Sequence, residues 1–376
     1  MSSLLRRLLW MLAGIAAVCM VAVCLFSCSV HEWPQPEGNA TYRLQLRFHT
    51  DMAIWENVYN SPRKITGSTS LVESKEITSS EQQVQTEGSM RYIVRAYQVW
   101  AGRSMAQEQP AMEWVFARDV AEGYDCTLDI SLPDGEYSLM VWADLTEHPA
   151  DTAFYDASDF GYITFQGRYC GDTDYRDAFR GMQQVTLQSS IEEKEPDLIP
   201  IEMERPLAKF EFIATDVQEF LSRKAALDTE ENVNAEEEED SPHSPTLVLN
   251  EEDYTVVFYY QDFLPTAFSL FSDRPIDAMS GIAFPAKMHV LNSHEVSLGF
   301  DYVFIGDIHT VEEATAMQVQ VAIYDLQGNQ VSLTSPIPIN LLRNTHTILR
   351  GGFLMQSAQG GITITPDFDG EWNVFV

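Results

Sequence analysis

Positive charge is scarce in this sequence. Its 376 residues hold 23 lysines and arginines against 56 aspartates and glutamates, a formal charge of −33. A phosphate-binding surface needs clustered Lys and Arg, so the shortage argues against a nucleic-acid partner. It argues equally against electrostatic docking on anionic lipid headgroups. Cysteine is sparse, with five in the chain. Beyond residue 27 there is no Cys-x-x-Cys, no glycine-rich phosphate loop and no nucleophile elbow. No catalytic residues, metal or cofactor are therefore expected, and the chain does not read as an enzyme. What is present is 45% hydrophobic and 11% aromatic residues, enough to bury cores. The length fits two domains of about 150 residues each.

The N-terminus carries the compartment. Arg6 and Arg7 precede an uncharged apolar run from Leu8 to Phe26, the layout of a secretory signal. Its length also suits an uncleaved membrane anchor. Leu25-Phe26-Ser27-Cys28 resembles a bacterial lipobox, and so favours a signal peptide over residues 1–27 with lipidation at Cys28. Lipid would then supply the membrane attachment that charge cannot. Residues 28–40 hold prolines and a glycine and read as a tether. Cys19 and Cys24 leave with the signal, and Cys126 and Cys170 remain. Two readings stay open for that pair: an exported disulfide, or two separate thiols behaving as small hydrophobes.

Thr41–His49 alternates with a period of two, placing Tyr42, Leu44, Leu46 and Phe48 on one face. Met52–Tyr59 reads as a short helix or an apolar loop, and residues 62–89 as weak strands at best. Strands are expected at Arg91–Val99, Trp114–Phe116, Asp125–Leu132 and Tyr137–Trp142, with Asp134-Gly135 making a tight hairpin turn. Shorter strands follow up to Met203. Many short strands separated by turn residues suggest an antiparallel sandwich. The pattern restarts at Arg205-Pro206 with Leu207–Ala214 and a helix capped by Asp216 that runs to Leu227. Residues 229–245 are dense in acids and read as a disordered loop. Strands resume at Tyr254 and continue to Val376. The expected domains are thus 41–204 and 205–376.

Candidate sites are few. His289 and His294 stand five apart, on opposite faces of a strand, which is poor spacing for a metal pair. Asp172-Thr173-Asp174 and Asp367–Glu371 read as turns. Trp100, Trp114 and Trp142 lie in or beside strands and are expected in cores.

Several segments together resemble the Bacteroidetes fimbrillin and fimbrial-anchor (FimB/Mfa2-like) lipoproteins, and in particular an uncharacterised lipoprotein family of that group. They are Cys28–Pro34, Asp134–Tyr137 leading into Val141–Asp144, Arg176–Phe179, Arg205–Phe210, Arg343-Asn344 with Thr347, Gly351–Phe353, and Gly361–Ile364 with Pro366. The resemblance implies an all-β protein of two tandem transthyretin-like, Greek-key sandwich domains, with a short helix in the second. It implies a lipid anchor in the outer membrane, exposure at the cell surface, and β-strand pairing with fimbrial subunits. Polymerising relatives are cut after an arginine near the first strand, whereas anchor-type relatives keep that strand. Arg43 and Arg47 lie within the first strand here, and no clear exposed cleavage loop precedes the second domain except around Arg205; the long tether and intact first strand favour an anchor or accessory role. A surface glycan-binding or adhesive lipoprotein of the same fold is the alternative.

Overall fold

The computed structural model describes residues 41–50, 52–60, 70–77, 87–147, 153–188, 197–231, 248–310 and 312–356. Cys28, the signal, the tether, most of the acidic segment and the expected strands after residue 356 lie outside them. The first half carries β1 (Thr41–Thr50), β2 (Ile54–Asn60), β3 (Ser70–Ile77), β4 (Ser89–Gln98), β5 (Met112–Asp119) and β6 (Cys126–Pro133). It continues with β7 (Gly135–Thr146), β8 (Tyr155–Asp156), β9 (Ile163–Phe165), β10 (Ala178–Leu187) and β11 (Asp197–Met203). The second half begins with β12 (Leu207–Ala214), helix α1 (Val217–Glu231), β13 (Tyr254–Tyr260), β14 (Leu264–Ser269), β15 (Arg274–Met279) and β16 (Ala283–Ala286). It ends with β17 (His289–Val290), β18 (Val296–Phe304), β19 (Thr315–Asp325), β20 (Gln330–Leu333), β21 (Ile337–Leu341) and β22 (Thr345–Gly351). Among the described residues the protein is all-β with one α-helix, as the alternation predicts.

Two sandwiches form. In the first, the sheet β11-β1-β6 faces the sheet β10-β7-β4-β5. Leu44, Leu46 and Phe48 of β1 meet Tyr92, Val94, Leu139 and Val141 in its core. In the second, β17-β18-β12-β22-β2-β3 faces β16-β13-β19-β20, with β21 also on β19. Phe210, Phe212, Phe258 and Phe284 anchor that core, and Val217, Phe220 and Leu221 of α1 pack into it.

Four local expectations differ from what the structure holds. The stretch expected as a helix or loop at Met52–Tyr59 is a strand from Ile54 on: β2 pairs in parallel with β22 of the second sandwich. Residues 70–77, inside the stretch expected to be weak, form the strand β3 against β2. Asp134-Gly135 makes no hairpin, because β6 pairs with β1 while β7 pairs with β4 and β10. The turn instead carries the chain from one sheet of the sandwich to the other. Helix α1 also runs on to Glu231, past its expected end at Leu227.

A fifth sheet, β15-β14-β9-β8, takes strands from both halves. It covers a third core containing Ile93, Met140 and Trp142 from the first sandwich and Leu207, Tyr302 and Phe304 from the second. Strand β7 is consequently buried on both faces, and its sequence reads as a continuous apolar run rather than an alternation.

Candidate functional site

Most segments that carry the family resemblance converge on the seam between the sandwiches. Arg176, 1% exposed, donates from Nη1 to Asp301 Oδ1 at 2.6 Å and from Nη2 to the Tyr302 carbonyl at 2.9 Å. Asp301 also accepts from the hydroxyls of Tyr169 and Tyr260, each at 2.5 Å, and from the Tyr302 N–H at 2.8 Å. Burial pushes the Asp301 carboxyl up from its ordinary range, opposed by Arg176 and the two tyrosines. Arg205 forks onto Asp177 at 2.7 and 2.9 Å and reaches Asn344 Oδ1 at 2.6 Å. Asn344, in the left-handed region at φ 51°, donates to the Ala53 carbonyl and so pins the entry to β2. Asp144 accepts from Arg91 and from the Trp142 indole. This chemistry is structural. Arg176 Nε is buried without a hydrogen-bond partner among the described residues, while the other contacts of Arg176, Arg205 and their carboxylates join elements of the fold to one another.

The expected cysteine sites do not meet there. Cys126 is a free thiol buried in the first core, and Cys170 is a free thiol at the surface. His289 and His294 are both exposed, and His289 faces Glu251 at 3.6 Å. Of the three tryptophans, Trp142 is fully buried, Trp114 is half-buried and Trp100 is 50% exposed.

The strand edges differ in how they are protected. An uncovered edge is a template for another chain, and proline, charge, brevity or coverage normally blunts it. Pro133 in β6, Pro200 in β11, Pro275 in β15, Pro285 in β16 and Pro338 in β21 interrupt five strands. Strand β3 presents Glu73, Lys75 and Glu76. Strands β8 and β17 have two residues each. Strand β10 closes against the chain at Glu204 through reciprocal Arg180–Glu204 backbone bonds.

Strand β5 has no proline over its eight residues and is neither short nor, among the described residues, covered; its charges are Glu113, Arg118 and Asp119, which leaves Trp114–Ala117 uncharged. Its inner face is fixed: Trp114 and Phe116 pack on the first core, and Phe116 stacks on Tyr92 at 4.9 Å. Its outer face exposes Val115 at 58%, and Met112, at the strand's start on the side of Trp114, is 43% exposed. Among the described residues it pairs with β4 alone. Nothing in the alternation of the sequence marks this edge, because edge status depends on sheet order.

Beside β5 lies a cleft of about 530 Å³. It is lined by Arg95 and Tyr97 of β4, Glu113 of β5, the β4–β5 loop through Glu108 and Gln109, and Asp159 and Phe271 from the seam. Arg95 donates to Glu113 at 2.5 Å and to the Ser158 carbonyl at 2.9 Å, with its guanidinium 4.3 Å from the Phe160 ring centre. The structure therefore offers a strand edge that can take up backbone and a neighbouring polar cleft that can take up a small ligand.

Solved structures similar to this chain include a Bacteroides thetaiotaomicron protein of the DUF1812 family, at 9% identity and TM-score 0.39, with 78% of this chain and 79% of that one covered. Another is the fimbrial anchor protein Mfa2 from Porphyromonas gingivalis, at 11% identity and TM-score 0.31, covering 77% and 82%. No curated protein matches the chain. Residues 42–376 match the model of a family described as "Family of unknown function (DUF6562)", and the chain belongs to that family.

Proposed function

We propose that this protein is a lipid-held surface subunit of the fimbrial type, an anchor or accessory subunit that takes up a β-strand of a fimbrial subunit along β5. The observation that carries this reading is the proline-free edge of β5, which among the described residues pairs with β4 alone, on a sheet whose strands β4 and β7 are buried on both faces. An added strand would gain backbone hydrogen bonds from the edge and side-chain contacts from Val115 and its neighbours. Cys28 would hold the protein on the outer membrane, facing the cell surface. The function so described is association and contains no catalytic step.

The state of β1 supports an anchor or accessory subunit over a polymerising one. Its backbone pairs with β11 on one side and β6 on the other, and it buries Leu44, Leu46 and Phe48. The side chains of Arg43 and Arg47 are exposed, but the peptide bonds beside them sit inside this ladder. Cleavage there would require the centre of a sheet to open.

The test is recovery of partners by cross-linking the lipidated protein on its own cells. The wild type is expected to recover a fimbrial subunit. Val115→Lys, which places a charge on the edge without touching a core, is expected to lose it at unchanged thermal stability. Recovery of no fimbrial subunit, or equal recovery by both proteins, would overturn the reading.

A further inference from the structure

The cleft beside β5 has a chemistry of its own. Its volume, about 530 Å³, falls within the range of roughly 300–1,000 Å³ typical of small-ligand sites and exceeds what one inserted side chain fills. Three carboxylates, Glu108, Glu113 and Asp159, line it with the amide of Gln109, and Phe271 supplies a half-exposed ring.

The cations nearby are already engaged. Arg95, the guanidinium in the lining, is held by Glu113, by the Ser158 carbonyl and by the face of Phe160. Arg103 lies outside the lining and contacts Glu108 Oε1 at 3.5 Å. A sulfate, phosphate or carboxylate entering the cleft would meet carboxylates and no uncommitted positive charge. A metal ion is also disfavoured, since no three acidic, histidine or cysteine side chains converge among the described residues. Glu113 is turned to Arg95, and Asp159 Oδ1 accepts the Gly161 N–H at 2.7 Å.

The remaining acceptors are Glu108 Oε2 and Asp159 Oδ2, which take no hydrogen bond from the described residues. They call for a ligand with several hydroxyl or amide donors and no negative charge. Donors of that kind form charge-assisted bonds to carboxylates. Phe271, held edge-on to Tyr97 at 5.3 Å, gives such a ligand an apolar surface for its C–H face. We propose that this cleft binds a neutral or N-acetylated oligosaccharide and discriminates against sialylated and sulfated ones. The site lies on the outer face of the sheet and is separate from the backbone edge of β5, so the proposal does not rest on strand capture.

The experiment uses the full chain on a printed array of galactose-, mannose-, glucose- and N-acetylhexosamine-terminated oligosaccharides, with sialylated and sulfated versions of each. Calorimetry follows on the best binder. Neutral glycans should bind at least tenfold more tightly than their anionic versions. The double variant Glu108→Gln/Asp159→Asn should lose at least tenfold in affinity at an unchanged melting temperature. Both substituted side chains are at least partly exposed, and the Asp159→Asn amide keeps an oxygen to accept the Gly161 N–H. Val115→Lys should bind glycans like the wild type, which separates failure of this site from failure of the β5 edge. A blank array, a preference for anionic glycans, or a double variant within twofold of wild type would overturn the proposal. So would a blank array combined with capture of a peptide strand that the double variant loses, since that assigns the cleft to a protein partner.

Discussion

Asp273 shows how single residues tie the two sandwiches together. It sits between β14 and β15 in the left-handed region at φ 50°, an uncommon place for a residue other than glycine. Its carboxylate accepts both Arg343 nitrogens at 3.0 Å and Arg180 at 3.0 and 2.6 Å. Burial alone would raise its pKa. The Arg343 and Arg180 guanidiniums outweigh that and hold the carboxyl below the ordinary range. A carboxyl depressed on folding contributes stability above its unfolded pKa of about 3.9 and loses it as pH falls through the lower folded value. Urea unfolding at pH 7 and pH 3 checks this. Asp273→Asn is expected to be less stable than wild type at pH 7 and to lose less stability between the two pH values. Asp301 has the opposite sign, because burial raises its carboxyl pKa, so its protonation does not contribute to the acid loss.

At the scale of elements, the strands with one covered face were legible and those with unusual partners were not. Thr41–His49 alternates because one face meets a core and the other does not, and Leu207–Ala214 because Ala208, Phe210 and Phe212 meet the second core while the opposite face holds Lys209 and Glu211 beside Leu207 of the third. Strand β2 was hidden because its partner β22 lies some 290 residues later, so no local pattern announces it. The Asp-Gly corner misled for a related reason: its backbone chemistry is that of a hairpin, but which strands pair is decided by the sheets. The β12–β18 pair holds a similar hidden constraint. Its register shifts between Phe212 and Ile213, opposite Gly299. Gly299 has φ +125°, and a Cβ built there would lie 2.5 Å from the Ala286 Cβ. Both the backbone conformation and the space exclude a side chain. Gly299→Ala should therefore destabilise the protein by about 2 kcal/mol or more in denaturant unfolding, above the usual median for point changes. A loss under about 0.5 kcal/mol would show that the bulge relaxes freely.

For the molecule as a whole, an all-β architecture was readable from the alternation and the turn residues, whereas the seam was not, nor that β2 and β3, from before Arg205, join the sheet of β12. Arg176, Asp177, Arg205, Arg343 and Asn344 stood out as parts of a resemblance and carried no role until the structure placed them in one buried network. The candidate site was least legible. Glu113 and Val115 were an ordinary strand segment until sheet order made β5 an edge and the seam brought Asp159 and Phe271 beside it. A third core and buried ion pairs between the sandwiches should make them unfold together. Calorimetry of the wild type should show one transition, with calorimetric and van't Hoff enthalpies equal. Arg176→Met removes one partner and leaves Asp301 buried without its cation, a loss of about 3–5 kcal/mol. Because that loss falls on the seam, touching the second core only through Tyr260, the variant should melt in two steps. A single step lowered in temperature would mean that the apolar third core couples the sandwiches without the ion pair. Two steps in the wild type would mean that the seam is too weak to couple them at all.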